Sequence, residues 1–345
     1  MAERVYLDWN ATAPLRPEAR AVTIAAMDAI GNPSSVHHEG RQAKAIVERA
    51  RAQVASAMGA DGSDVVFLSG ATEAAALAMS GRDLATALVE HEAVAAWGDG
   101  TLPVGPDGRV SLRDPAASAL QAANSETGVM QDLPSGLAVS DMTQVFGKVP
   151  VAFDWSGIGM ALVSAHKLGG PKGIGALVLR RGLDVTSRIR GGGQEMGRRS
   201  GTENVAAIAG FGAAAEAAMR DLEAGTWDGV AQLRTFLETS LAGAGAPTTL
   251  VGDGAARLPN TSCLITPGWK GETQVMALDL AGFAVSAGSA CSSGKVRESA
   301  VLRAMGYGPG EADCAIRVSL GPDTTEEQVA RFVEAFRRLR DRRRR

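Results

Sequence analysis

Short apolar runs alternate with alanine-rich stretches through the first half of the chain. Strands are predicted by runs of aliphatic and β-branched residues at Asp64–Leu68, Val149–Phe153, Ala161–Ser164 and Gly175–Leu179. A turn follows the first strand, and an alanine run from Glu73 predicts a helix. Such alternation favours a mostly parallel sheet covered by helices on both faces. Ligands bind these sheets beyond the carboxyl ends of the strands, where Thr72, Asp154 and Lys167 fall.

The second half of the chain has a different texture. A long helix interrupted near Gly225 is predicted between Leu222 and Leu241, and a final helix begins at Thr325. Strand-like runs lie between them at Thr261–Ile265, Ala284–Ala287 and Ala315–Leu320. This order predicts a smaller α+β domain after about residue 220.

Composition excludes several classes of protein. The chain has 345 residues, 45% hydrophobic and 21% charged, with a formal net charge of −3. Such a charge provides no field that attracts nucleic acid or anionic lipid. No run of about 18 apolar residues occurs, and no apolar signal core follows Met1. The cysteines at 263, 291 and 314 lack disulfide or zinc-site spacing, so we expect a cytoplasmic protein without membrane or nucleic-acid partners or a resident metal.

A lysine and an aspartate at predicted strand ends are candidates for chemistry. Lys167 is followed by glycines, so it can be shielded from water, which lowers its pKa and frees an amine for Schiff-base formation. Asp154 ends another apolar run and would suit a protonated pyridine nitrogen. The alternatives are a solvated surface lysine and an aspartate that caps a helix.

Backbone N–H groups and hydroxyls predict a phosphate site at the turn 69–72, where a helix begins. Ser164, His166 and the turn 199–202 could add donors. Nucleotide-binding loops are excluded, because the chain has no G-x-x-x-x-G-K-[ST] and Gly191–Gly193 lacks the G-x-G-x-x-G frame.

Three further side chains have the chemistry of a catalytic site. Cys291 lies among small polar residues close to Lys295, where a reactive thiolate is expected. Arg317 lies inside an apolar strand and needs an anionic partner, either a substrate carboxylate or an internal acid. His91 could stack on a planar cofactor and carry protons near neutral pH, although a single histidine is more often structural.

Taken in order, segments along almost the whole chain resemble those of the cysteine desulfurases. These are pyridoxal 5′-phosphate (PLP) enzymes of the class V aminotransferase superfamily. The segments that carry the resemblance are Tyr6–Ala13, Gly31–His37, Ser69–Glu73, Glu90–His91, Asn124–Gly128, Ser164–Gly175, Gly191–Asn204, Gly288–Cys291 and Ile316–Gly321.

The resemblance implies an α/β fold, that of the fold-type-I PLP-dependent transferases. A large PLP-binding domain (residues 12–220) with a mostly parallel central sheet would stand beside a smaller α+β domain (residues 1–11 and 221–345) that carries the catalytic cysteine. A homodimer with the cofactor near the subunit interface is implied as well.

The resemblance also implies roles for single residues. Lys167 would carry the cofactor as a Schiff base, Asp154 would pair with its ring nitrogen, and His91 would stack on its ring. The cofactor contacts implied in full are Ala71, Thr72, His91, Asn124, Ser125, Asp154, Ser164, His166, Lys167 and, reaching into the partner subunit's site, Thr202. The substrate contacts implied are Arg317 and Asn32.

The implied reaction removes sulfur from L-cysteine. Cys291 would attack the sulfur of the PLP-bound substrate, leaving L-alanine and a persulfide on the enzyme. The persulfide would pass to an acceptor protein for iron–sulfur cluster or other sulfur-cofactor assembly, and Cys291 could also act as a transient iron–sulfur ligand.

Two positions depart from the family pattern. Ser125 replaces the second of two asparagines, and Gly157 stands where the family has a glutamine three residues after the acid that pairs with the pyridine. Each change would remove a hydrogen bond to the phenolic oxygen of the cofactor. The chain is also shorter than typical members. The alternatives are another class V PLP enzyme, such as a selenocysteine lyase or an aminotransferase, and a degenerate PLP-fold scaffold.

Overall fold

The computed structural model describes residues 4–241, 248–288 and 298–343. Its strands are β1 (Val5–Tyr6), β2 (Asp64–Leu68), β3 (Ala119–Gln121), β4 (Val139–Asp141), β5 (Met160–Ser164), β6 (Gly175–Leu179), β7 (Thr249–Leu250), β8 (Thr261–Ile265), β9 (Phe283–Ala284), β10 (Ser286–Ala287) and β11 (Ala315–Ser319). Its helices are α1 (Pro17–Met27), α2 (His38–Ala57), α3 (Ala71–Met79), α4 (Glu92–Ala95), α5 (Phe153–Ser156), α6 (Val205–Glu223), α7 (Thr226–Leu241), α8 (Gly271–Leu280), α9 (Ala300–Ala304), α10 (Pro309–Ala312) and α11 (Glu326–Arg343).

The larger sheet positions the candidate site. Within the described residues it has five strands in the order β2-β6-β5-β4-β3. Pairing is parallel between β3 and β4 and between β4 and β5, while β6 runs antiparallel to both β2 and β5. Strands β2 to β5 therefore share one direction, which confirms the expected mostly parallel α/β sheet.

Both faces of this sheet are covered. Val65 joins the core that α2 and α6 form on one face, and Val66 joins the core that α3 forms on the other. Small residues allow α2 and α6 to approach closely, since a Cβ added to Gly212 would lie 2.7 Å from Ala50 Cα. The alanine-rich sequence thus serves close helix packing.

A second, antiparallel sheet has the order β10-β11-β8-β7 in the described residues. It contributes to a separate core, in which Phe332 packs edge-on against Phe283, with ring centroids 5.5 Å apart, and lies beside Phe336. Strand β1 pairs in parallel with β9, so the N-terminal residues Val5 and Leu7 belong to this core. The domain boundaries proposed above remain a prediction.

Most predicted elements are present, and one is wrong. The strands at Asp64–Leu68 and Gly175–Leu179 have the expected bounds, and a break at Gly225, whose φ is +69°, separates α6 from α7. The run Val149–Phe153 is not a strand. Its end enters the short helix α5, and the N–H groups of Phe153 and Asp154 donate to Met58 O and Gly59 O instead of a neighbouring strand.

No helix in the described residues is long and apolar enough to cross a membrane.

Candidate active site

A cavity of about 570 Å³ opens at the carboxyl ends of β4 and β5 and at the N-terminus of α3. This volume lies within the range of typical small-molecule sites. The structure brings together around it these residues predicted from sequence: Ala71, Thr72, His91, Ser125, Ser164, His166 and Lys167.

Lys167 lies in a single 3-10 turn, Ala165–Lys167, which continues directly from β5. Its Nζ donates to the backbone carbonyls of Asn10 (2.7 Å) and Ala11 (2.9 Å). Burial and the nearby Arg317 cation lower the pKa of Lys167 to about 8. The amine is therefore easier to deprotonate than that of a solvated lysine, as expected for a lysine that forms Schiff bases.

The N-terminus of α3 provides an anion site on the same cavity. Gly70 is the N-cap residue, and no side chain caps the first N–H groups of the helix. Gly70 lies against β6, since a Cβ added to Gly175 would come within 2.8 Å of Gly70 Cα. Unpaired helix N–H groups and the hydroxyls of Thr72 and Ser164 make a donor set suited to phosphate.

His166 and Lys172 line the same cavity. Nδ1 of His166 lies 3.2 Å from Thr12 Oγ1, and burial, aided by the cations of Lys167 and Lys172, lowers the pKa of His166 to about 4. His166 is therefore neutral at pH 7. Lys172 and the helix terminus contribute positive charge beside the anion site.

His91 lies at the edge of the cavity, where it caps α4. Its Nδ1 accepts from Ala93 N at 3.1 Å, which places the proton of the neutral ring on Nε2. That hydrogen bond fixes the orientation of a ring that lines the cavity.

Asp154 is not part of this cavity, which corrects the prediction that it faces a pyridine nitrogen. Its carboxylate accepts from Gly62 N (2.7 Å) and Ser63 Oγ (2.5 Å), two residues of the loop between α2 and β2 that do not line the cavity. The mistake follows from the strand wrongly predicted at Val149–Phe153, because Asp154 ends an apolar run but no strand of the sheet. The structure therefore leaves Asp154 with a structural role.

The carboxylate that lines the cavity belongs to Asp141, the last residue of β4. Gln144 lies three residues later and also lines the cavity, donating from Nε2 to Asn10 O at 3.1 Å. This is the acid-to-glutamine spacing that the resemblance implies, so the departure assigned to Gly157 does not exist. The sequence contains this spacing as a signal. It is easily missed because no strand is predicted before Asp141, since β4 has only three residues and one of them is the polar Ser140.

Asn124 is buried beside the cavity rather than facing it. Its Nδ2 donates to Val89 O at 3.0 Å, and its Oδ1 accepts from the N–H groups of Glu126 and Thr127. The amide is thus used to hold the turn that presents Ser125 to the cavity. Asn124 does not line the cavity, and its predicted contact with the cofactor stays a prediction.

Arg317 and Asn32, the predicted substrate contacts, do not line the cavity. Arg317 is buried in β11 and donates to Asp8 Oδ1 (2.8 Å) and to Ser125 O (3.1 Å). The internal acid that the sequence left open is therefore present as Asp8, close behind the cavity wall. Asn32 is exposed, and its side chain accepts from Ser34 N.

Thr202 lines a neighbouring pocket instead of the main cavity. Its pocket shares Ser69 and Gly173 with the cavity and also contains Arg199, which forms an ion pair with Glu73. Thr202 therefore does not line the main cavity of its own chain. Cys291, the predicted nucleophile, lies outside the described residues.

Known proteins resemble this chain along nearly its whole length. The model of the family Aminotransferase class-V matches residues 5–97 and 112–332. A cysteine desulfurase of Cereibacter sphaeroides is 39% identical, with 97% of this chain and 95% of the relative covered. A cysteine desulfurase of Frankia sp. (strain EuIK1) is 41% identical, with 94% and 88% covered. The X-ray structure of a NifS-like protein from Rickettsia africae ESF-5 is 32% identical, covers 98% of this chain and 100% of that chain, and has a TM-score of 0.89.

Proposed function

We propose that this chain, which belongs to the class-V aminotransferase family, is a cysteine desulfurase that holds PLP in the cavity around Lys167. Desulfurases that match it over nearly their full length support the activity. The cofactor is supported by the residues of the cavity. The observation that carries the proposal is that Lys167, Asp141 and the uncapped N-terminus of α3 meet there.

The donor set fits both ends of PLP. The N-terminus of α3, Thr72 and Ser164 suit the phosphate, and Asp141 suits a protonated ring nitrogen at the other end. His91 would flank the ring. When bound, PLP supplies an electron sink for negative charge at the α-carbon of an amino-acid substrate.

Lys167 is suited to hold and release a proton at Nζ. Its pKa of about 8 means that a useful fraction of the amine is neutral near physiological pH. The carbonyls of Asn10 and Ala11 fix its position within hydrogen-bond distance. Lys167 would therefore both anchor the cofactor and move protons at the substrate.

Cys291 would take up the sulfur. Its thiolate would form the new S–S bond as the C–S bond of L-cysteine breaks, and a proton would complete the methyl group of L-alanine. One L-cysteine and one thiol thus give one L-alanine and one persulfide, with no external oxidant. The persulfide would then be transferred to an acceptor protein that serves iron–sulfur cluster or other sulfur-cofactor assembly.

A homodimer would complete the site. Thr202 lies outside the cavity of its own chain, and we place it at the phosphate of the partner subunit's site. Exposed apolar side chains at the end of α1 and beyond support a covered face, since Met27, Ile30 and Val36 are 71%, 81% and 88% exposed.

The function is tested by incubating the PLP-loaded protein with L-cysteine and measuring L-alanine, sulfide and the mass of the peptide that contains Cys291. Equal amounts of alanine and sulfur, with one added sulfur on that peptide, are expected. Cys291→Ala should abolish both, whereas the matched control Cys314→Ala, at a buried cysteine, should retain them.

Two results would contradict the proposal in different ways. Sulfur release that is unaffected by Cys291→Ala would favour another PLP enzyme of the family. A purified protein without near-visible absorbance after addition of PLP would favour a scaffold that has lost the cofactor.

A further inference from the structure

Lys148 is a buried lysine to which the proposed reaction gives no role. Only 2% of its surface is exposed, and its Nζ donates to Gln144 Oε1 (2.7 Å) and Asn10 Oδ1 (3.0 Å). Burying an ammonium group without an anionic partner is costly. A lysine buried at this position therefore calls for a physical reason.

The hydrogen bonds of Lys148 match a neutral amine. An ammonium group has three donors, whereas the described residues offer Nζ two acceptors, both of them amide oxygens. No carboxylate forms an ion pair with Lys148 in the described part of the chain, and the charged groups that act on it are the cations of Lys167 and Arg317. Burial and these cations lower the pKa of Lys148 well below its usual value.

The bond from Lys148 fixes which way the amide of Gln144 points. Because Nζ donates to Oε1, Nε2 is turned toward Asn10 O, the same carbonyl that accepts from Lys167 Nζ. A flipped amide would place its N–H groups against the Lys148 donors. Gln144 lines the cavity, and its Nε2 and the Nζ of Lys167 thus donate to the same carbonyl.

The same bond orders Asn10. Its Oδ1 accepts from Lys148 and from Asn260 Nδ2, while its Nδ2 donates to Thr261 Oγ1 and Ser125 O. Lys148 therefore holds both the amide that faces the cavity and the residue whose carbonyl receives Lys167.

We propose that Lys148 is a positioning residue that, as an uncharged donor, orients Gln144 toward the cofactor and Lys167. The inference rests on the proposed PLP function. An uncharged donor orders the amide without adding a third cation beside Lys167 and Arg317.

The test compares Lys148→Met, which keeps the length of the side chain but has no donor, with the wild type. Lys44→Met, at an exposed position of α2, is the matched control. We expect Lys148→Met to raise the dissociation constant of PLP about fivefold to tenfold, the effect of one lost hydrogen bond. It should also shift the pH midpoint of the near-visible absorbance, whereas Lys44→Met should change neither.

Coupling to Gln144 separates positioning from a general structural effect. Gln144→Leu should reproduce both changes, and the double variant should lose clearly less than the sum of the two single losses, because Lys148 acts in part through that amide. Additive losses in the double variant would overturn the inference.

Each failure has its own signature. If the wild type takes up PLP and Lys148→Met matches it in affinity and absorbance titration, this inference is wrong and the proposed function stands. If the wild type does not take up PLP, the proposed function fails. If Lys148→Met does not fold, Lys148→Gln replaces it as the test. Its neutral N–H donor should keep PLP affinity within about threefold of the wild type. Loss of PLP binding in Lys148→Gln would overturn the inference.

Discussion

Asp141 and Lys167 reach one cavity from adjacent parallel strands. Asp141 ends β4, where it stands in register with Leu162 of β5, and the chain continues from β5 into the turn that carries Lys167. The carboxyl ends of neighbouring parallel strands meet at one edge of a sheet, so this acid and this amine face a common ligand. The cavity is therefore lined by both a carboxylate and an amine.

Replacing each of the two candidate aspartates by asparagine tests this arrangement. Asp141→Asn should lower kcat about a hundredfold or more, because it removes the charge that would stabilise a protonated ring nitrogen. Asp154→Asn should leave kcat unchanged and lower the free energy of unfolding by about 1–2 kcal/mol through its weakened bonds to Gly62 and Ser63. Steady-state desulfuration and urea unfolding measure the two effects, and the reverse outcome would restore Asp154 as the ring partner.

The pKa of Lys167 predicts how fast the empty site takes up PLP. Only the neutral amine attacks an aldehyde, so the rate constant should rise with pH, reach half its maximum near pH 8 and level off above it. Stopped-flow absorbance of the apoprotein mixed with PLP would measure it. A rate constant that still rises beyond about pH 10 would indicate an ordinary solvated lysine. The control is Lys167→Ala, which should show no absorbance change of this kind on mixing with PLP.

Much of this site can be predicted from the sequence, and the predictions that are wrong have physical causes. The sequence predicts the motifs around Lys167 and the turn 69–72 because their signals, which are strand residues, glycines and hydroxyls, lie close together in the chain. The apolar run before Asp154 predicts a strand and so favours Asp154 over Asp141, although the run packs as a loop and a helical turn. A strand of three residues such as β4 gains its stability from its neighbours, so its own sequence carries little signal.

Contacts between residues distant in the chain were beyond sequence reasoning. Arg317 pairs with Asp8 across 309 positions, and Lys148 meets Asn10 across 138. Neither partner is marked by spacing or composition. Only the folded chain reveals which buried basic side chain pairs with an acid and which one donates to amides.

Glu126 makes the stability of the fold depend on pH. Burial raises the pKa of Glu126 to about 7 against the opposing effects of its Ser299 hydrogen bond and Arg317. The folded state therefore binds more protons than the unfolded state between about pH 4.5 and 7, so this group's stabilisation is complete below that range and is lost as pH rises through it.

The measurement is urea unfolding of the wild type and Glu126→Gln across that range. The variant keeps an acceptor for Ser299 Oγ but cannot ionise, so the part of the slope due to this group, at most about 1.4 kcal/mol per pH unit, should disappear. Glu272→Gln, on the exposed side of α8, should retain the wild-type slope. Identical slopes in all three proteins would refute a raised pKa at Glu126.

Thr202 provides a test of the dimer that does not depend on measuring mass. Subunits carrying Thr202→Val should lose PLP affinity, and subunits carrying Lys167→Ala should be inactive. If Thr202 acts on the partner subunit's site, a mixed dimer contains one intact site, formed by Lys167 of the first subunit and Thr202 of the second. Random mixing of equal amounts should then restore about a quarter of the native sites, since half of the dimers are mixed and each has one. If Thr202 instead served its own chain, no mixed dimer would contain a native site, and activity would stay at the mean of the two parents.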